Sequence, residues 1–174
     1  MPTENGLVRN EAPEESLDAL TDALLTASRL LIAISASSIA SVDDGITIPQ
    51  FRALVILSNH DPINLATLAG LLGVKPSATG RMVDRLVNAG LIDRLPHPTS
   101  RRELLATLTP RGRKIVRQVT ARRRAEIAAV VAKMPGTERH DLVRALTAFT
   151  AAGGEPPVVF DDDALDDGSA LQDH

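Results

Sequence analysis

The sequence predicts a mainly α-helical protein carrying one small β-hairpin, and three observations lead there. Apolar residues recur at helical spacing along most of the 174 residues, and the chain is 44% hydrophobic but only 2% aromatic. Scarce aromatics, with β-branched residues gathered in a few short runs, disfavour an extended sheet. The departure is the stretch 91–108. There, two strand-like runs, Leu91–Leu95 and Glu103–Leu108, flank Pro96, Pro98 and a Ser100-Arg101-Arg102 tip.

Taken in order, residues 1–14 are polar and expected to be a flexible N-terminus. They lack the basic n-region and apolar core of a signal peptide. A first helix is expected over residues 15–42, with apolar stripes through Leu17, Leu20, Leu24 and Leu31 and through Leu25, Ile32 and Ile39. Its second half is apolar or small all round, which a small chain can bury by pairing with a second copy. The uncharged run Leu30–Val42 is shorter than the ~20 residues that span a bilayer, and four serines interrupt it. The expectation is therefore a cytoplasmic protein with no membrane contact.

Asp43-Asp44-Gly45 ends that helix. Pro49 suits the first turn of a second one, Gln50–Asn59, which Asp61-Pro62 stops. Leu65–Leu72 reads as a short third helix, Gly73 as a turn, and Lys75-Pro76-Ser77 as the opening of a fourth that closes near Ala89. After the hairpin, Thr109-Pro110 caps and starts a fifth helix reaching about Met134. A sixth covers Thr137–Ala151, with Leu142, Leu146 and Phe149 on one face. Residues 153–174 form an acidic tail with the composition of disorder. The organisation expected is one domain over residues 15–152. Within it, 49–109 form a compact lobe, and 15–42 and 110–152 supply pairing helices.

Two helices joined at Gly73, followed by a hairpin, make a winged helix-turn-helix. A helix of this size fits the major groove of DNA, while the hairpin can reach the next minor groove. Leu68, Leu71 and Val74 are expected to pack on Met82, Val83 and Leu86. That leaves Lys75, Ser77, Ala78, Thr79, Arg81 and Arg85 facing outward as candidate DNA contacts, joined by Arg101 and Arg102 at the hairpin tip. Short side chains at the helix start let it sit deep in the groove, and Arg81 can reach guanine edges or phosphate. The net charge of −3 does not oppose this. Between Lys75 and Arg124 thirteen basic side chains face three acidic ones, a local charge of +10, while residues 155–174 hold seven acids and no Lys or Arg.

The stretch resembles the MarR family of bacterial transcription regulators. The likeness is carried by Pro49-Gln50-Phe51-Arg52-Ala53-Leu54, Leu65-Ala66-x-Leu68-Ala69, Arg81-Met82-Val83-Asp84-Arg85-Leu86 and Gly90-Leu91-Ile92-x-Arg94. It continues in Arg101-Arg102 and Leu108-Thr109-x-x-Gly112, and spans roughly residues 17–152. The resemblance implies a homodimer with two winged lobes, repression of its own or a neighbouring operon, and release of DNA by a small aromatic or phenolic effector. It also implies that Arg102 enters the minor groove. One position departs from the family pattern: Ser100 stands where an aspartate usually braces the wing, and a serine cannot pair with Arg94.

Other chemistries find little support. The chain has no cysteine, which excludes disulfides, thiolate metal sites and thiol switches. His60, His97, His140 and His174 have no ligand spacing, so no metal is expected. With no phosphate-binding glycine loop and no nucleophile–base pair, neither a cofactor nor an enzyme is expected. A pseudo-palindromic double-stranded DNA operator is the expected partner, and Arg52 is the charge expected near an acidic effector, the alternative being that it pairs with an acid across the dimer. The rival reading is a winged-helix adaptor that binds a protein and not DNA.

Overall fold

The computed structural model describes residues 16–100 and 103–155. The expected flexible start, the hairpin tip Arg101-Arg102 and the acidic tail from residue 156 lie outside the described residues. The chain divides into two compact units at Ala129 and Val130.

The first unit begins with α1, Leu17–Ala40, whose N-cap Ser16 accepts from the Ala19 N–H. At 24 residues this helix is, by length and composition alone, long and apolar enough to cross a membrane. Only Ile34, Ser38 and Ile39 of it are buried. α2, Ile48–His60, starts two residues earlier than expected. A reciprocal capping box between Thr47 and Gln50 sets its start, with Pro49 in the first turn.

An unpredicted strand follows, β1, of only Ile63 and Asn64, pairing antiparallel with Ala106 and Leu105. Asn64 then caps α3, Leu65–Leu72, by accepting from the Thr67 N–H at 2.8 Å. Gly73 closes α3 at φ 67°, a left-handed conformation that glycine adopts without strain. α4, Pro76–Asn88, ends at Gly90 in the same way, φ 69°, with the Leu91 N–H returning to Leu86 O. The hairpin is β2, Ile92–Pro96, against β3, Leu104–Leu108, and the sheet order is β1-β3-β2.

One core holds this unit together. Leu54 and Leu57 of α2, Leu68 of α3, Val83 and Leu86 of α4, Leu91, Ile92 and Leu108 of the sheet region, and Val119 of α5 all lie within it. Their burial is the dominant stabilising term, about 1.5–3 kcal/mol for each fully buried aliphatic side chain. The expected packing of Leu71 and Val74 is corrected. Both stay exposed, and Leu68, with Leu65 and Leu72 packed beside it, carries the α3 contact.

α5, Pro110–Val131, starts in the first unit and ends just inside the second. The second unit contains α6, Gly136–Ala152, none of whose residues is buried. Arg139 ties its first turns to the preceding loop by donating to the Met134 and Ala132 carbonyls.

Candidate nucleic-acid interface

The face of α4 that the core does not use is set by its helical period. Thr79, Val83 and Leu86 are buried, at spacings of four and three, and point into the unit. Lys75, Ser77, Arg81 and Arg85 are exposed, and Ala78 is half-buried. Thr79 is therefore corrected from a DNA contact to a core residue. It is fully buried, and its hydroxyl donates back to the Lys75 carbonyl at 3.4 Å.

Within this lobe the helices differ at their starts. Thr47, Asn64 and Thr109 each supply a side-chain oxygen to the first-turn N–H groups of α2, α3 and α5. α4 starts at Lys75 with no side-chain cap, and Pro76 fills the next position. Its opening turn thus presents positive backbone dipole beside a lysine and two short side chains, a suitable seat for a phosphate.

The wing is braced in a way the sequence did not reveal. Arg94 on β2 donates to Asp84 on α4, so an ion pair joins the hairpin to the helix it flanks. The carboxylate missing at Ser100 is thus not the only available brace for Arg94. His97 lies near the turn, its Nδ1 3.2 Å from the Thr99 N–H and its Nε2 4.0 Å from Glu103. Arg101 and Arg102, the expected minor-groove residues, lie outside the described residues.

Several arginines of the basic stretch serve the fold. Arg111 Nη1 donates to the Ala89 carbonyl at 2.7 Å while Nη2 approaches Asp43 at 3.4 Å. Arg113 pairs with Asp61 at 2.8 Å, and Arg122 with Glu126 at 3.4 Å. Glu126 also accepts from the buried Ser38 hydroxyl of α1 at 3.3 Å. Arg52, the candidate effector contact, is exposed on α2. Among the described residues no three His, Asp or Glu side chains gather as a metal-ligand group.

Comparison with known proteins agrees with this geometry. Residues 46–104 match the MarR family model. The crystal structure of RV1404 from Mycobacterium tuberculosis superposes with a TM-score of 0.77 at 77% identity, covering 84% of this chain and 99% of that one. The HTH-type transcriptional repressor Rv2887 of the same species is 34% identical over 102 residues, 59% of this chain and 73% of the relative. A mutant MarR from E. coli, crystallised with operator DNA, superposes at a TM-score of 0.61 and 25% identity over 75% of this chain and 92% of that one. The core that fixes α3 and α4, the exposed arginine face and the hairpin beside it are those of a winged helix-turn-helix, and the chain belongs to the MarR family.

Proposed function

We propose that the chain is a homodimeric, sequence-specific DNA-binding transcriptional regulator, most simply a repressor acting in the cytoplasm without enzymatic activity. The observation that carries this reading is the split surface of α4. One face is locked in the core, and the other offers Lys75 and Ser77 at an uncapped helix start, Arg81 midway along and Arg85 in the last turn. A relative of similar sequence is named a transcriptional repressor, and a structural relative was crystallised on operator DNA. Both support a DNA-binding regulator, and the exposed face of α4 is the surface we assign to it.

Dimerisation is supported by apolar surface that a single copy leaves open. In α1, Leu17 is 79% exposed, Leu25 58% and Ile32 57%, and in α6 Val143 is 65% and Phe149 55% exposed. Obligate homodimers bury surface of this core-like kind. A second copy covering α1 also accounts for a helix that would otherwise suit a membrane. Two recognition helices related by a twofold axis read half-sites about one turn, ~10 bp, apart.

The deciding experiment is a footprint on the promoter of its own gene, combined with a salt titration. A protected pseudo-palindrome is expected, with log affinity falling against log salt by about 0.9 per phosphate neutralised. No protected site at low salt would favour the protein-binding adaptor. Effector control belongs to the same reading. Salicylate-like acids titrated into the DNA complex should release wild type but not Arg52→Ala if Arg52 pairs with the ligand, since an effector acts only through differential affinity for the two forms.

A further inference from the structure

We infer that Arg111 is a positioning residue for operator recognition. It fastens the C-terminal end of the recognition helix to α5 and to the loop after α1. The inference rests on the DNA-binding reading above.

Three successive carbonyls leave the end of α4, and all three are taken by the start of α5. Ala89 O accepts from Arg111 Nη1 at 2.7 Å, Gly90 O from Thr109 Oγ1 at 2.8 Å and Leu91 O from the Thr109 N–H at 3.1 Å. Thr109 holds only its immediate partners. Arg111 reaches further, because Nη2 lies 3.4 Å from Asp43 Oδ2, and Asp43 Oδ1 accepts from the Gly45 N–H at 3.0 Å. One guanidinium therefore joins α4, α5 and the link between α1 and α2.

The chemistry suits the place. Carbonyls at a helix C-terminus carry partial negative charge, and a cation there caps them. The planar fork of arginine can serve a carbonyl and a carboxylate at once, which a lysine ammonium on a flexible stem does not reproduce.

Leverage makes this matter for DNA. α4 has 13 residues and is about 18 Å long. Its contacting residues Lys75 and Ser77 lie at the end opposite the Arg111 anchor. A tilt of about 5° at the anchor moves the far end by roughly 1.5 Å, enough to break base-edge hydrogen bonds, which need donor–acceptor distances near 2.7–3.2 Å. In a dimer, the same anchor fixes the separation of the two recognition helices.

The test uses the full chain and a pseudo-palindromic duplex that wild type selects from a randomised pool, together with versions carrying one base pair more or fewer at the centre. Binding is measured across salt for wild type, Arg111→Gln, Arg111→Lys and Asp43→Asn, and hydrogen exchange is followed in the free proteins. Both Arg111 variants should bind the selected duplex about tenfold more weakly, the scale of one lost charge-assisted hydrogen bond. They should discriminate less against altered spacing and keep the wild-type salt slope. Asp43→Asn should move the same way by less, and the Ala89 and Gly90 amides should exchange faster when Arg111 is changed. A salt slope flatter by about one in Arg111→Gln, with spacing preference intact, would make Arg111 a phosphate contact instead. Equal losses on every spacing would reduce it to a stability residue, and wild-type binding would remove the role altogether. If wild type selects no duplex, the DNA-binding reading itself fails. Unchanged amide exchange would then separately overturn the fastening.

Discussion

Replacing Gly112 by alanine places a Cβ 2.2 Å from the Leu91 carbonyl oxygen and 3.2 Å from Leu108 Cδ2. Carbon–oxygen contacts settle near 3.3–3.6 Å, so the first turn of α5 and the Leu91 backbone must part by roughly 1 Å. Both are backbone, and no side-chain rotation relieves the clash. Separation also stretches the Thr109 N–H bond to Leu91 O, now 3.1 Å, and the Thr109 Oγ1 bond to Gly90 O, now 2.8 Å. Overpacking costs about 1–3 kcal/mol, and each weakened hydrogen bond up to about 1 more. The better helix propensity of alanine returns at most about 1 kcal/mol. The net expectation is a loss of about 2 kcal/mol, or roughly 4–8 °C in Tm for a chain of this size. Urea unfolding at fixed protein concentration measures it, with the midpoint falling at constant slope. Stability equal to or above wild type would refute the close approach of α5 to Leu91, and with it the anchor at the end of α4.

Other perturbations separate fold from contact. Gly80 sits inside α4 with nothing within 4 Å of an added Cβ, so Gly80→Ala should stabilise the free protein by about 0.5–1 kcal/mol in the same urea assay. Asn64→Ala removes the α3 cap and should cost about 1 kcal/mol of stability, with the Thr67 amide exchanging faster. Arg81→Ala should leave thermal stability near wild type, yet lose about 1–3 kcal/mol of operator binding and relax base preference at one position, read by binding to a panel of single-substitution duplexes. Sedimentation at micromolar concentration should find a dimer, and a predominantly monomeric chain would remove the palindromic operator.

Most helices were legible because their signals are local. Thr109-Pro110 marks the start of α5, Gly73 the end of α3, and Leu65–Leu72 has the bounds read from the residues. β1 was not legible. Two residues carry no period, and Ile63 with Asn64 becomes a strand only because β3 lies beside it. Thr79 was readable in principle, since it shares the helical face of Val83 and Leu86. Its hydroxyl suggested the surface, but the helix's own Lys75 carbonyl accepts that hydroxyl inside the core. The brace between Asp84 and Arg94 joins two different elements, the anchor at Arg111 reaches back 68 positions to Asp43, and spacing alone carries no sign of either.

The same long-range pairing changes what the basic stretch means. Summed along the sequence, residues 75–124 suggest a broad cationic surface. Among the described residues, several of those arginines face carboxylates: Arg94 with Asp84, Arg111 with Asp43, Arg113 with Asp61 and Arg122 with Glu126. Three of these acids lie outside the stretch, so a sum over consecutive residues overstates the field. These pairs are largely exposed and contribute little stability one by one. The value of the first three is geometric, since they tie the wing, the loop after α1 and the link after α2 to the elements around α4, whereas Arg122 and Glu126 pair within α5. On the proposed reading, Lys75 at the start of α4 and Arg81 in its second turn then act on DNA from a fixed frame. A salt slope measured on the operator therefore reports this smaller set together with the wing, not the whole basic run. On the same proposed reading, sequence preference depends on how firmly the frame holds α4, and residues remote from DNA then belong in any account of specificity.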